Sequence, residues 1–301
     1  MMVMTAELTT VVTLRRHVIN DICTGLGLSA DNRLRKLCQP LIWLPSHQFA
    51  KLCAWFDNEI EQRGITAAMQ RLLPRFARSV EVHGAEQVPA AGPLLVAANQ
   101  PGTFDVVAIS ASLGRDDLQI MALGWPVLRH MPTFSRHLIF TTLDPHQRIG
   151  AVRSAIERLQ AGDALLIFPT ADLDPDVLPG ADAAIERWSP SLELFLRQVP
   201  ETKVLPAVVS GVLSSKRLRH PLARIPRTAK GQRTVAEMLQ MGQQMFFPWS
   251  FDLAPRATFG KALNVEELGA SYGRSGVQPK IIEQAHALLA THMARSQAGA
   301  A

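Results

Sequence analysis

The sequence predicts an α/β protein with a mixed, mainly parallel sheet flanked by helices, preceded by a helical N-terminal subdomain. From about residue 79 onward, short apolar runs of strand length alternate with segments of helical periodicity, the pattern of parallel strands joined by crossover helices. The apolar run at 93–98 is bounded by turn residues, as expected of a strand buried on both faces. Residues 145–160 form the clearest helix, with Asp144 as its N-cap and Pro145 in its first turn.

Two regions are predicted along the chain, a helical region at 1–76 and an α/β domain at 77–301. In the first, Pro40 and Pro45 break the chain, and Ser46 is a suitable N-cap for the helix that follows. The apolar stripe of that helix consists of Phe49, Leu52, Cys53, Phe56 and Ile60. In the second, further strands are predicted at 79–84, 118–123, 164–169 and 204–212, and a helix from Asp105. The inner stripe predicted for the helix at 145–160 is Ile149, Val152, Ile156 and Leu159.

Composition limits the class of protein. With 301 residues, 47% of them hydrophobic and 19% charged, the chain can bury a substantial core and is not disordered. Its net charge of +5 favours anionic partners such as phosphate-bearing substrates, acidic lipid surfaces or nucleic acid. Neither a signal peptide nor a run of about 18 apolar residues is found, so we expect a cytoplasmic protein or one attached to the inner face of a membrane.

The cysteines and histidines do not suggest a metal site. Cys23, Cys38 and Cys53 are odd in number and lack the CxxC spacing, so we expect free buried thiols rather than disulfides or a zinc site. The nine histidines show no metal-ligand spacing either. The sequence therefore predicts no bound metal.

Polar residues stand at the ends of two predicted strands, where open α/β sheets bind their ligands. The segment AANQPGTFD occupies 97–105, and IFPTADLDPD occupies 167–176. Taken alone, the first is also suitable for a plain strand-to-helix turn in which Asp105 caps the helix. Together with VLPAVVSG at 204–211, the two segments form an ordered pattern that a single turn does not explain.

This order of motifs resembles the lysophospholipid and glycerol-3-phosphate acyltransferase family, over residues 80 to about 215 and more loosely at 257–263. That family carries His-x4-Asp after a strand, then an FPEG-like block and a Val-x-Pro-Val strand. The resemblance implies that a histidine removes the proton of an acceptor hydroxyl, which attacks an acyl thioester, while the aspartate orients the histidine. Asp105 matches the aspartate, and Gln100 stands in the histidine position.

Several chemical positions depart from the family pattern. The amide of Gln100 does not titrate near neutral pH, so it cannot act as the general base, a role that contributes about 10²–10⁴-fold in rate. The FPEG-like block reads FPTA, with Thr170 in place of a carboxylate expected to contact the acceptor. The block expected to supply a phosphate-binding arginine corresponds to 137–143, where Phe140 matches but Leu143 stands in the arginine position.

The resemblance places a substrate pocket between the ends of the strands at 93–98 and 164–169. Asp105 and Gln100 are its predicted catalytic positions. The residues predicted to bind substrate are Asn99, Gly102, Thr103, Phe168, Pro169 and Thr170. His137 or His130 is a candidate substitute base, and Arg136 or Arg148 a candidate substitute for the missing arginine.

Two functional hypotheses follow from the resemblance. In the first, the protein transfers an acyl chain from acyl-CoA or acyl carrier protein to a lysophospholipid or glycerol-phosphate type acceptor, with impaired chemistry and no further cofactor. In the second, it is a catalytically inactive lipid- or acyl-binding pseudoenzyme of the same fold. The substitution at Gln100 and the altered phosphate-binding blocks favour the second hypothesis, while membership of the family is common to both.

A basic segment at 214–234 holds seven Lys and Arg residues and no acidic residue. Its first cations, Lys216, Arg217 and Arg219, are predicted to contact an anionic surface, either lipid headgroups or the phosphates of CoA. Nucleic acid is disfavoured as a partner because the segment has no recognition motif and no interleaved aromatic residues. A plain solvated loop is the alternative.

Two further patterns are weaker. The sequence GASYG at 269–273 fits the G-x-S-x-G of a hydrolase, but no buried strand precedes it and no aspartate follows it. Asp172, Asp174 and Asp176 alternate as in a calcium loop, although Val177 occupies the position that requires glycine. For these three aspartates we predict a solvated acidic loop beside the substrate pocket.

Overall fold

Seven strands form one sheet within the residues that the computed structural model describes, which are 2–25, 33–102, 104–123, 125–142, 144–170, 174, 181–247, 253–269 and 276–298. The strands are β1 (Glu81–His83), β2 (Leu94–Ala98), β3 (Leu118–Leu123), β4 (Leu138–Thr141), β5 (Ala164–Ile167), β6 (Lys203–Ser210) and β7 (Arg256–Phe259). Their spatial order is β1-β7-β6-β2-β5-β3-β4. All neighbours are parallel except β6 and β7, which are antiparallel. The predicted mixed, mainly parallel sheet is confirmed.

Helices cover both faces of this sheet. They are α1 (Met2–Gly25), α2 (Arg33–Arg63), α3 (Ile65–Leu72), α4 (Asp105–Leu113), α5 (Pro145–Gln160), α6 (Ala181–Glu186), α7 (Ser191–Gln198), α8 (Ser215–Leu218), α9 (Ala229–Phe246) and α10 (Gln278–Ala298). Helices α1 to α4 share a core with one face, and α5, α6, α7 and α10 share a core with the other. The N-terminal helices are thus packed on the sheet, while the domain boundary after residue 76 stays a prediction.

The central strands are apolar throughout because helices cover them on both sides. Every residue of β2 and β5 is buried. Since successive side chains of a strand point to opposite faces, Leu94 and Val96 enter the core shared with α1–α4. Leu95 and Ala97 enter the core shared with α5, α6, α7 and α10. This arrangement explains why an unbroken apolar run, rather than an alternating one, predicted these strands.

Helix α5 lies where it was predicted, and three of the four residues predicted for its inner stripe face the core, with Leu159 buried and Val152 and Ile156 half-buried. The prediction is wrong for Ile149, which is 61% exposed. Ala151 and Ala155, four residues apart and in line with Leu159, are also buried. The alanines allow the helix axis to approach the sheet closely, and their periodicity is hidden in the sequence because alanine is also common on exposed helix faces.

Helix α2 corrects the prediction for the N-terminal region. Pro40 and Pro45 lie inside one continuous helix, so Ser46 is not an N-cap but a fully buried residue within it. A proline inside a helix removes a backbone hydrogen bond and costs about 3 kcal/mol. Burial of the apolar stripe, including Phe56 and Ile60, offsets this cost.

Two of the three cysteines, Cys23 and Cys53, are buried free thiols, as predicted, while the side chain of Cys38 lies outside the described residues. Burial raises the pKa of the Cys53 thiol to about 12, which makes it unreactive. In the described part of the chain, no helix combines the length and apolar character needed to cross a bilayer.

Candidate active site

The two polar strand ends meet at one edge of the sheet. Ala97 of β2 lies opposite Ile167 of β5, and these strands are parallel, so the segments after them leave the sheet side by side. Strand β6 flanks β2 on the other side and is parallel to it. The segments at 99–102 and 168–170 therefore share the carboxyl edge of the sheet, where parallel α/β sheets place their ligand sites.

Gln100 is tied to Asp174 through its backbone. The backbone N–H of Gln100 donates to Oδ2 of Asp174 at 2.8 Å, and the backbone N–H of Asp174 donates to the carbonyl of Gln100 at 2.7 Å. The hydroxyl of Thr170 donates to the same Oδ2 at 3.2 Å. Asp174 thus joins the turn after β2, at Gln100, to the turn after β5, at Thr170.

Asp174 is 1% exposed, so the prediction of a solvated acidic loop is wrong for this residue. Asp172 and Asp176 lie outside the described residues. Burial raises the pKa of the Asp174 carboxyl, whereas its hydrogen bonds and the cations of Arg187 and Arg233 oppose the rise. The sequence offered a signal for this residue, a run of aspartates beside a strand end, but not its inward orientation.

Asp105 lies at the start of α4 and is fully buried. Its Oδ2 accepts the backbone N–H of Gly102 at 3.0 Å, and its Oδ1 accepts that of Val106 at 2.6 Å. Burial raises the pKa of the Asp105 carboxyl well above its ordinary value, and the two hydrogen bonds lower it only in part. The nearby carboxylates of Glu237 and Asp174 raise this pKa further. The aspartate therefore braces the turn that carries Gln100.

Asn99 is buried, and both the nitrogen and the oxygen of its side-chain amide form hydrogen bonds with the backbone of β6. Its Nδ2 donates to the carbonyl of Val209 at 2.9 Å, and its Oδ1 accepts the N–H of Val209 at 2.8 Å. The side chain thus continues the pairing of β2 with β6 beyond the strand end. It positions the following turn, so the structure does not support its predicted contact with substrate.

A cavity of about 550 Å³ lies beside Gln100. Most of its lining residues are apolar. Many of them lie between one face of the sheet and helices α2, α3 and α4, including Phe56, Met69, Val107 and Ile120. The polar and charged residues of the lining lie at or near the strand ends: Gln100, Thr141, Thr142, Arg148, Ser189 and Ser191. Its size falls within the range of about 300–1,000 Å³ that ligand pockets occupy.

The structure brings some of the predicted substrate residues to this cavity and not others. Phe168 and Pro169 line it, and Thr170 follows them. Gly102 is buried, and a Cβ there would lie 3.1 Å from Cγ2 of Val212, so a larger residue would crowd that side chain. Thr103 lies outside the described residues.

His137 is wrong as a substitute base, because it lies at the opposite edge of the sheet. It directly precedes β4, and its Nδ1 bonds the carbonyl of Leu118 at the start of β3. The register of β4 with β3, of β3 with β5 and of β5 with β2 places it at the same level of the sheet as Leu95. Five residues and three strand spacings separate it from Gln100, or roughly 20 Å. His130 is engaged elsewhere, with its ring stacked on that of His17 at a centroid distance of 3.6 Å.

Of the two candidate arginines, Arg148 lines the cavity, and Arg136 precedes β4 at the far edge. Lys216, which is exposed, and Arg217, which is half-buried, lie on α8, and the exposed Arg219 directly follows that helix. Helix α8 follows the carboxyl end of β6. They therefore lie on the same edge of the sheet as Gln100, in agreement with a role at that surface.

Helix α9 was not predicted as part of the site. A Cβ at Gly102 would lie 3.6 Å from Oε1 of Glu237, so α9 packs over the turn. Its buried residues include Gln240, whose amide bonds Ser214 N and the carbonyl of Val212. No pattern in the sequence indicated that Glu237 and Gln240 lie near the end of β2, which is more than a hundred residues earlier in the chain. Among the described residues, no cluster of His, Cys, Asp or Glu side chains could hold a metal ion.

Comparison with known proteins agrees with the motifs. Residues 79–181, about a third of the chain, match the model of the family described as Acyltransferase. No curated protein sequence matches the chain. The structure is similar to the 1-acyl-sn-glycerophosphate (LPA) acyltransferase PlsC from Thermotoga maritima, with 14% identity, 81% of each chain covered and a TM-score of 0.43. The resemblance seen in the sequence is confirmed over residues 79–181, the segment that the family model matches.

Proposed function

We propose that this protein binds the acyl chain of a thioester and transfers it, at an impaired rate, from acyl-CoA or acyl carrier protein to a lysophospholipid or glycerol-phosphate type acceptor. The observation that carries the proposal is the apolar cavity of about 550 Å³ that reaches Gln100 at the strand ends of the family segment. A hydrocarbon chain gains free energy from such a lining, at about 25 cal/mol for each Å² removed from water. The thioester group would then lie among the polar lining residues.

The acceptor would lie on the same edge. Arg148, whose Nε donates to the carbonyl of Thr142, offers a cation for an acceptor phosphate in place of the arginine missing at Leu143. Thr170 offers a hydroxyl where the family has a carboxylate. Transfer is impaired because Gln100 cannot take the hydroxyl proton, and a positioned base is worth about 10²–10⁴-fold in rate.

The second candidate is a catalytically inactive lipid- or acyl-binding protein. It is favoured by the distance of roughly 20 Å between Gln100 and His137, which leaves no described histidine at the cavity. In this case the cavity and the turn braced by Asp105 would serve binding alone.

We also propose that the carboxyl edge of the sheet contacts an anionic membrane. Lys216, Arg217 and Arg219 precede two exposed apolar side chains, Leu222 at 49% and Ile225 at 72% exposure, in a segment without acidic residues. Cations attract anionic headgroups at about 1 kcal/mol each, and exposed apolar side chains add burial in the lipid interface. This contact would bring a lipid acceptor to the edge where the cavity lies. The predicted inner-face location accords with it.

Chain binding is tested by displacement of a fluorescent fatty acid with a long-chain acyl-CoA. Replacing Leu128, a half-buried lining residue, by tryptophan fills part of the cavity and should weaken binding at least about tenfold, equivalent to 1.4 kcal/mol. The matched control is Ile149→Trp on the exposed face of α5, which should bind as the wild type does. Equal binding by both variants would mean that the chain does not enter this cavity.

Transfer is tested with acyl-CoA and a panel of lysophospholipids and glycerol 3-phosphate, comparing the wild type with Gln100→His and Asp105→Ala. Wild-type activity that is lost in Asp105→Ala supports the enzyme. A silent wild type that gains activity in Gln100→His supports the binding protein, with an intact pocket that lost its base. Silence of all three, with chain binding retained, would count against transfer to these acceptors.

A further inference from the structure

An open cleft of about 950 Å³ lies between α1 and α2, outside the candidate active site. Six of its lining residues are polar, charged or aromatic: Arg15, Arg16, His17, Asn20, Gln39 and Trp43. None of the lining residues that the structure describes is acidic. Two guanidinium groups and two side-chain amides in one concave surface form a set of donors that suits an anion, above all the oxygens of a phosphate group.

Arg15 is held in position within this cleft. Its guanidinium carbon lies 4.9 Å from the centre of the Trp43 ring, which is a cation–π contact. The Trp43 ring is itself stacked on that of His47, at a centroid distance of 5.1 Å. Because the guanidinium is already ordered, less conformational entropy is lost when an anion binds to it. Trp43 is 44% exposed and Arg16 is exposed, so the cleft is open to a ligand from solvent.

The two arginines supply the charge of the described lining. Burial, followed by the charge of His130, lowers the pKa of His17, so its imidazole is neutral at pH 7. Asp21 raises this pKa to a smaller extent, and its Oδ2 accepts the backbone N–H of Val127 at 3.1 Å. Asp21 is thus bonded to the segment after β3 and is not part of the lining. The described lining therefore carries two positive charges at neutral pH.

The cleft lies next to the cavity of the candidate active site. Trp125 follows the carboxyl end of β3, lines the cavity and contacts Phe49 of α2 at a ring-centroid distance of 5.9 Å. Trp43 precedes Phe49 by six residues, or about 9 Å along the helix. The His17 ring stacks on that of His130, which belongs to the same segment after β3 as Trp125. The cleft and the cavity therefore approach each other outside the carboxyl edge of the sheet.

We infer that this cleft binds the phosphate groups at the nucleotide end of acyl-CoA while the acyl chain occupies the cavity. The inference rests on the acyl transfer proposed above and names acyl-CoA as the donor. In acyl-CoA the long pantetheine arm separates these phosphates from the thioester, which suits two sites on either side of the contact between Phe49 and Trp125. The phosphate of the acceptor lies only a few bonds from the reacting hydroxyl, so it belongs near Gln100 and not in the cleft.

The test compares two ligands with the same acyl chain, one attached to CoA and the other to pantetheine, which has no phosphate. Each displaces a fluorescent fatty acid from the wild type, and acyl-CoA should bind at least about tenfold more tightly. The double variant Arg15→Gln with Arg16→Gln should lose this advantage and bind acyl-pantetheine as the wild type does. The matched control, Arg153→Gln with Arg158→Gln, removes the same charge from exposed positions of α5 on the other face of the sheet and should retain the advantage.

Two further measurements support this comparison. Arg16 is exposed, so Arg16→Gln alone leaves the packing of α1 on α2 intact and should reduce the advantage of acyl-CoA by at least about threefold. Titration with CoA itself, which has no acyl chain, measures phosphate binding independently of the cavity. The wild type should bind CoA, and the double variant should bind it at least about tenfold more weakly.

Three results would overturn the inference. One is equal affinity of the wild type for acyl-CoA and acyl-pantetheine. Another is a double variant that retains the full advantage of acyl-CoA. The third is a double variant that loses binding to anionic vesicles but keeps its affinity for CoA, which would assign the cleft to lipid headgroups. Failure of the wild type to bind the fatty acid would instead refute the proposed function, and CoA binding that is lost in the double variant would still assign phosphate groups to the cleft.

Discussion

Replacing His292 by glutamine should remove most of the acid sensitivity that this residue gives the fold. His292 lies in α10 and is fully buried. Its Nε2 bonds the hydroxyl of Ser210 at 2.8 Å, and its Nδ1 bonds that of Thr258 at 2.7 Å. Ser210 ends β6 directly after Val209, the residue that holds Asn99, so this contact supports the strand end next to the candidate active site.

The magnitude follows from the pKa. Burial lowers the pKa of His292 from 6.5 to about 4. The charges of Arg256 and His83 lower it to a smaller extent, while the carboxylate of Glu81 raises it. As the pH falls, the unfolded chain binds this proton first. The stability contributed by the neutral imidazole is therefore complete above about pH 6.5 and is lost as the pH falls towards 4, by about 2.5 kcal/mol between pH 7.5 and 4.5. The full difference of 2.5 pKa units corresponds to about 3.4 kcal/mol.

The assay is urea denaturation at several pH values between about 4.5 and 7.5, for the wild type, His292→Gln and His286→Gln. Other groups add their own pH dependence, so the informative quantity is the difference between the wild type and each variant. His286 lies on the exposed side of the same helix, with 29% of its side chain accessible, and is the matched control. Parallel pH curves for the wild type and His292→Gln would refute the reasoning.

Two other predictions concern the two edges of the sheet. Arg115→Ala should lower the free energy of unfolding by at least about 2 kcal/mol in urea, because its buried guanidinium bonds Asp117 and three backbone carbonyls in two loops at the amino edge. Arg158→Ala removes a 3.6 Å ion pair from a side chain that is 49% exposed, so it should cost less than about 1 kcal/mol. At the carboxyl edge, the double variant Lys216→Glu with Arg219→Glu should bind anionic vesicles about tenfold or more weakly than the wild type in a sedimentation assay. Its binding to neutral vesicles should be unchanged. Equal binding of the wild type to anionic and neutral vesicles would contradict the membrane contact.

The strands could be predicted from the sequence, and the site only in part. Unbroken apolar runs identified β2 and β5 because burial on both faces leaves a local signal. Asp174 could not be recognised as a site residue, because its inward orientation results from hydrogen bonds with a residue 74 positions earlier. The length of α2 was missed for a similar reason, since packing against the sheet overrides the local effect of Pro40 and Pro45.

The contacts of Asp105 bear on how a histidine at position 100 would be oriented in the proposed acyl transfer. Each of its carboxylate oxygens accepts one backbone N–H, from Gly102 or Val106. A carboxylate offers about four lone-pair sites, so two remain for an imidazole placed five residues earlier. We therefore expect Gln100→His to raise acyl transfer by at least about tenfold and to depend on Asp105 for that gain.

A double-mutant cycle of Gln100→His with Asp105→Asn separates this orienting role from the bracing of the turn. Asparagine offers one acceptor oxygen to the two backbone donors, so part of the turn is retained while the negative charge beside the new imidazole is lost. The gain from the histidine should fall by about 10-fold or more in the Asp105→Asn background, whereas chain binding should change by less than about threefold. If the gain were the same in both backgrounds, Asp105 would serve the fold of the turn alone and would not orient a histidine at position 100.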